Sequence, residues 1–318
     1  PSREEIIFTK GTTESINLVA YSFSEAFIHE GDEVIVSEME HHANIVPWQI
    51  VCERKKATIK VIPFDDSGRL MVEKLPELIS EKTKIIAVTL VSNVLGAINP
   101  VEEVIAIAHE KNIPVLIDGA QAVQHIAIDV QKMDCDFFVF SGHKLYGPTG
   151  VGCLYGKRQW LDAMPPFLGG GEMIEKVSFS GTTFNVIPYK FEAGTPNFTE
   201  VIGLGAAIDY LNSIGFDKIF HYEQELADYA RMKLDTIDGI RFFGQTSHQS
   251  NVISFIVNSI HPYDMGMFLD KMGFAVRTGH HCAEPVMDHF KIPGTVRVSL
   301  AFYNTRDEID RFVDALKK

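Results

Sequence analysis

The stretch Phe138-Val139-Phe140-Ser141-Gly142-His143-Lys144 reads as a buried strand that stops at a lysine. An amine at the end of an apolar run is costly to desolvate unless chemistry there uses it. A second run, Pro114-Val115-Leu116-Ile117-Asp118, ends in a carboxylate. Upstream, Val34-Ile35-Val36, Ile59-Lys60-Val61-Ile62 and Ile85-Ile86-Ala87-Val88-Thr89 read as further strands, and a first one covers 5–9. Amphipathic patterns over 14–28, 70–80 and 101–111 read as helices between them. This alternation predicts an α/β fold with a large, mostly parallel sheet covered on both faces. Ligands of such sheets sit beyond the carboxyl ends of the strands, where Asp118 and Lys144 fall.

Residues 165–200 break the pattern: Pro165-Pro166, Gly169-Gly170-Gly171 and Gly181-Thr182-Thr183 mark an irregular segment, a functional loop or hairpin. A long helical run over 199–214 and a helix over 218–237 follow, and strands over 252–257, 275–277 and 295–300 with helices over 262–272 and 307–317 read as a smaller C-terminal α+β domain. The expected division is 1–211 and 212–318.

The 318 residues carry a formal net charge of -13, which argues against nucleic acid or an anionic membrane as partner. No apolar run approaches a transmembrane helix, and no signal peptide is expected. Four scattered cysteines suit a reducing, cytoplasmic setting. The chain opens on Pro1 and enters a strand almost at once, so it reads as a piece of a longer protein.

Lys144 and Asp118 at one sheet edge suit pyridoxal phosphate: the amine holds the aldehyde and the carboxylate keeps the ring nitrogen protonated. Gly11-Thr12-Thr13-Glu14-Ser15 opens a helix after the first strand, either as an ordinary cap or as a phosphate site. Its place at the edge that holds Lys144 favours phosphate, with Ser141 and His143 as further donors. In Glu40-His41-His42-Ala43-Asn44, paired histidines suggest zinc, but adjacent side chains diverge and no complementary ligand spacing is nearby, so no metal is expected. One histidine is expected to be structural, and His41 to stack on the cofactor ring. Asn93 and Gln121 follow strands at the same edge and are placed to meet the ring hydroxyl.

Arg277-Thr278-Gly279-His280-His281-Cys282-Ala283 surrounds a thiol with imidazoles and a cation in a loop. That setting favours a reactive thiolate at Cys282 over a zinc ligand. Cys52, Cys135 and Cys153 read as buried small hydrophobes. Arg297, a cation inside an apolar strand, needs a carboxylate partner, either structural or in a substrate.

Taken together, Ser-Gly-His-Lys at 141–144, Asp-Gly-Ala-Gln at 118–121, Met-Glu-His-His-Ala-Asn at 39–44 and Arg-Thr-Gly-His-His-Cys at 277–282 resemble the group II, SufS-type cysteine desulfurases. These are related to selenocysteine lyases within the class V aminotransferase superfamily. Phe191-Glu192-Ala193-Gly194-Thr195-Pro196-Asn197 and Tyr303-Asn304-Thr305 extend the likeness over essentially the whole chain. The resemblance implies fold type I and a homodimer that uses pyridoxal phosphate to convert L-cysteine to L-alanine. Sulfur would be held as a persulfide and passed to a SufE- or SufU-like carrier for iron–sulfur cluster assembly.

By resemblance, Lys144 is the Schiff-base lysine, Asp118 the ring-nitrogen partner and His41 the stacking histidine. Asn93 and Gln121 would touch the ring oxygen, and Thr12, Thr13, Ser141 and His143 the phosphate. Thr195 would reach the phosphate of the other subunit. Arg297, with Arg277 and Asn93, would bind substrate, and Cys282 would accept sulfur. The rival readings are a selenocysteine lyase, for which L-selenocysteine would be the substrate, and an inactive, truncated member of the same fold.

Overall fold

The computed structural model describes residues 2–258 and 260–318. Strands β1 (Ile6–Thr9), β2 (Glu33–Ser37), β3 (Thr58–Ile62), β4 (Thr83–Thr89), β5 (Val115–Asp118), β6 (Phe137–Ser141) and β7 (Gly152–Gly156) form one sheet, ordered β1-β7-β6-β5-β4-β2-β3. The run from β3 to β6 is parallel throughout. Only β7 is reversed, antiparallel to both β6 and β1, so β1 points the same way as β6.

The interiors of the central strands are unbroken apolar runs because each face meets its own core. Ile86, Val88, Val115, Ile117 and Phe138 point into one cluster, with helix Val101–His109 packed there through Val101, Val104, Ile105 and Ala108. Their neighbours Ile85, Ala87, Leu116, Phe137 and Val139 point into the other, with helix Thr12–Phe27. Alternation along a strand sends successive side chains to opposite faces, so a two-faced core demands an unbroken hydrophobic run.

The irregular segment resolves into an exposed hairpin, β8 (Ile174–Ser178) and β9 (Gly181–Phe184), with Phe179 at its tip. A second sheet holds β10 (Ile240–Phe243), β11 (Val252–Val257), β12 (Arg277–Gly279) and β13 (Thr295–Ser299), all antiparallel, in the order β10-β11-β13-β12. Helices Phe216–Leu234, Pro262–Lys271 and Arg306–Leu316 bury Leu226, Leu269 and Phe312 against Phe255 and Val296. The small sheet also meets the large domain: Ser254 Oγ donates to the Val94 carbonyl at 2.6 Å. A Cβ at Gly96, whose φ is +67°, would come within 2.6 Å of the Val252 carbonyl, so only glycine allows this approach.

Several elements differ from expectation; strands β7 and β10 and helix Glu284–Phe290 are among those the sequence pattern did not predict. The helix expected over 70–80 is a 3-10 turn, Val72–Lys74, and one helical turn, Leu75–Leu78. Ile79 turns extended there, and the Leu78 carbonyl is taken by Lys60 Nζ at 2.8 Å. The strand expected over 275–277 lies at Arg277–Gly279, because Gly273 (φ +86°) and the Phe274 N–H to Leu269 bond hold the preceding residues to the helix end. Helix Val46–Lys55 was not read from the sequence, since Pro47 falls in its first turn and its apolar residues share no single face. Helix Phe198–Ile214 runs through the division drawn at 211/212, and packing against the small sheet begins at Leu226.

Candidate active site

The chemistry-bearing residues follow the carboxyl ends of β1, β2, β4, β5 and β6. After β6 the chain tightens into a 3-10 turn, Gly142–Leu145, which carries Lys144. Asp118 ends β5 one strand away, in register with Val139 of β6. Asp118 is 4% exposed, and its Oδ1 accepts from the Ala120 N–H at 2.9 Å. Burial pushes its carboxyl up, against the charge of Lys144. Burial likewise pushes the Lys144 ammonium down, opposed by Asp118 and reinforced by Arg297 and Arg277. Each group is the other's main counter-charge, as a buried amine and carboxylate must be.

Register explains the phosphate end. Thr9 of β1, Gly152 of β7 and Ser141 of β6 lie side by side. The Thr12 N–H therefore reaches Ser141 Oγ at 2.8 Å, and the two hydroxyls meet at 2.9 Å. A Cβ at Gly152 would sit 2.3 Å from the Gly11 Cα, so the crossing requires glycine. Ser141 takes the Thr12 N–H, and the N-cap of helix Thr12–Phe27 is a glycine with no capping side chain, which leaves the amides that follow and the dipole for an anion. Thr13 and His143 are exposed at this rim.

The loop after β2 is anchored by Glu40, which is wholly buried. Its carboxyl accepts from the Thr89 N–H at 2.8 Å, from Asn44 Nδ2 at 2.7 Å and from Ser37 Oγ. Burial pushes Glu40 up to about 8 against these three bonds, with the charge of Asp118 adding to the rise. Next to it, His41 Nδ1 accepts from the Ala43 N–H at 3.0 Å, which places the ring proton on Nε2. Burial, then the charges of Lys144, His42, Arg277 and Arg297, push His41 down to about 4. The imidazole is neutral at physiological pH. Gln121 is half-buried in the loop after Asp118.

The small domain supplies the thiol. Arg277 and Arg297 face each other across β12 and β13. Burial, then Arg277, push Arg297 down to about 10, and its buried Nε has no partner. Among the described residues neither arginine meets a carboxylate; Arg297 Nη1 is bonded instead to the Asn93 carbonyl. Arg277 Nη2 lies 3.6 Å from Cys282 Sγ. His281 and Cys282 are both left-handed, with φ of 56° and 59°. His281 Nε2 meets Thr295 Oγ1 at 2.8 Å, and burial followed by the two arginines pushes it down to about 3.

Two main-chain bonds seat this loop on the large domain. Asn93 Nδ2 donates to the His281 carbonyl at 2.7 Å, and the His42 N–H donates to the Cys282 carbonyl at 2.7 Å. Lys144, Asp118, His41, Asn93, Arg277, Arg297 and Cys282 are thus brought together. Thr195 is exposed and lines a separate shallow cleft with Lys10 and Glu14. Cys52, Cys135 and Cys153 are buried, with thiols pushed up to about 11, 12 and 12, so Cys282 is the accessible one. Sequence reading gave Glu40 and His281 no role of their own, and His42 only a structural one. Glu40 lies three residues past β2 and beside the paired histidines, and no local pattern marks its burial.

The family model for aminotransferase class-V matches residues 1–312. The cysteine desulfurases of Enterobacter sp. (strain 638) and of Escherichia coli (strain K12 / DH10B) are each 52% identical over 318 residues, all of this chain and 78% of theirs. Among solved structures, the Escherichia coli cysteine desulfurase CsdA superposes with a TM-score of 0.95 at 42% identity, over 99% of this chain and 78% of that one. The apo cysteine desulfurase of Thermococcus onnurineus NA1 also gives 0.95, at 38% identity and the same coverage. Matched from end to end by a family and by relatives that share half its residues, the chain belongs to the class-V aminotransferases and, among them, to the cysteine desulfurases.

Proposed function

We propose that Lys144 anchors pyridoxal phosphate and that sulfur from L-cysteine passes to Cys282, leaving L-alanine and an enzyme persulfide. One observation carries this reading: the Cys282 loop is bonded to the loops that hold His42 and Asn93, at the sheet edge where Lys144 and Asp118 lie. The residues fit the cofactor. An uncapped helix start suits a phosphate, a buried carboxylate suits a ring nitrogen, and the neutral His41 ring suits an aromatic face.

When bound, the cofactor supplies an electron sink for the pair released at the substrate's Cα. Arg297, with its free Nε and Arg277 beside it, binds the substrate carboxylate. Lys144, whose ammonium is disfavoured by burial, takes the Cα proton. Cys282 thiolate attacks the substrate sulfur: a sulfur–sulfur bond forms and the substrate's carbon–sulfur bond breaks. The bonding pair stays on carbon, which is reduced and takes up a proton, while the enzyme sulfur is oxidised to a persulfide. Thr12, Thr13, Ser141 and His143 would hold the phosphate, and Asn93 and Gln121 the ring oxygen.

As a homodimer the protein would lend Thr195 to the partner subunit's phosphate. The exposed hairpin β8–β9 would lie by the dimer and the sulfur-carrier site, and cluster assembly would receive the sulfur. The test is alanine formation from L-cysteine by the cofactor-loaded protein, with and without a thiol reductant. Alanine in stoichiometric burst without reductant, and turnover with sulfide release in its presence, are expected. Turnover that survives Cys282→Ser would sink the assignment of the thiol.

A further inference from the structure

His42 grips the Cys282 loop from the large domain on both sides of the thiol. Its main-chain N–H donates to the Cys282 carbonyl at 2.7 Å. Its Nε2 accepts from the Glu284 N–H at 3.1 Å, with the Glu284 carboxylate 4.0 Å away. Glu284 opens helix Glu284–Phe290, and Pro285 follows it, so the Glu284 N–H has no neighbouring amide to share a ligand with. His41 and His42 point to different tasks, with ring centroids 6.3 Å apart and planes tilted by 50°.

The loop needs such a grip. His281 and Cys282 are consecutive left-handed residues that lack glycine's freedom, a conformation that persists only where surroundings over-determine it. The ties from Asn93 to the His281 carbonyl and from Thr295 to its ring act before Cys282, Arg277 Nη2 lies 3.6 Å from the Cys282 sulfur, and the Ala283 N–H bond to the His280 carbonyl stays within the loop. Among the described residues, only His42 bonds both the Cys282 carbonyl and the amide two residues on.

We infer that His42 is a positioning residue whose imidazole clasps the start of helix Glu284–Phe290, fixing the direction in which Cys282 presents its sulfur to the lysine site. The inference rests on Cys282 as sulfur acceptor. It concerns the aim of the thiol and leaves cofactor binding to other residues.

His42→Ala removes the acceptor and keeps the main-chain donor, whereas His42→Gln restores an acceptor of similar reach. In His42→Ala, Cys282 should react faster with iodoacetamide, followed by mass spectrometry of its peptide, and kcat for alanine should fall about tenfold, the scale of one lost hydrogen bond. KM and the cofactor's absorption band should hardly move, and His42→Gln should recover most of both losses. Wild-type alkylation and kcat in His42→Ala would overturn the clasp, as would a glutamine variant no better than alanine. Alkylation reports the clasp whatever Cys282 does in turnover. Failure of the acceptor reading shows separately, as alanine turnover by Cys282→Ser.

Discussion

Arg297 Nη1 donates to the main-chain carbonyl of Asn93 at 2.8 Å, so a small-domain cation is fastened to the large domain. Asn93 in turn holds the His281 carbonyl through its side chain. One large-domain residue therefore sets the position of the cation that would bind substrate and of the loop that carries the thiol.

Arg297→Lys keeps the charge but loses the planar fork that lets one residue bond Asn93 and still face a carboxylate. KM for L-cysteine should rise about tenfold or more, the equivalent of one charge-assisted hydrogen bond. Steady-state kinetics would show it, and an unchanged KM would mean that another group binds the carboxylate.

Lys144→Ala should remove the covalent anchor and with it the visible band of the loaded enzyme. Asp118→Asn should keep the cofactor yet slow exchange of the substrate's Cα proton with deuterated solvent by about a hundredfold, within the usual range for lost acid–base support. Exchange at the wild-type rate would remove Asp118 from the electron-sink role.

His125 Nδ1 and Glu223 Oε2 lie 2.6 Å apart, 7% and 1% exposed, and Glu223 Oε1 also accepts from the Phe302 N–H at 3.0 Å. The pair joins the loop after β5 to helix Phe216–Leu234 and the end of the small sheet. Breaking it with Glu223→Ala should cost about 3–5 kcal/mol, because the partner is left buried and unpaired. Urea unfolding would measure the loss. Replacing both residues by apolar ones of similar volume should recover much of it.

Acid should destabilise the fold through His41 and His281, pushed down to about 4 and about 3 from 6.5. Below pH 6.5 the unfolded chain binds protons that the folded rings refuse, so stability drops as pH falls. The His41 contribution is fully lost near pH 4, and that of His281 near pH 3. His281→Gln should show a shallower fall in the urea midpoint between pH 7 and 5 than wild type. Identical slopes would mean that His281 is not held neutral.

The large domain was legible because its signals are local. An unbroken hydrophobic run such as Val115-Leu116-Ile117 has one good explanation, a strand covered on both faces, and the residue that ends it falls at the ligand-binding edge. That logic selected Lys144 and Asp118, and their neighbours at 141–143 and 118–121 carried the family likeness. Short turns were less legible: Val72–Lys74 and Leu75–Leu78 share the apolar spacing of a longer helix.

The sequence by itself determined the strand order of chemistry, an amine after one strand, a carboxylate after its neighbour, and a thiol in a late loop, because residue type and period are local properties. Only the tertiary structure decided which groups answer one another. The bonds from His42 to Cys282 and Glu284, from Asn93 to His281, and from Arg297 to Asn93 span between 188 and 242 residues of chain. No pattern in a window of sequence encodes such pairings. They arise when two cores pack, and burial then makes every unpaired polar group costly enough to select its partner.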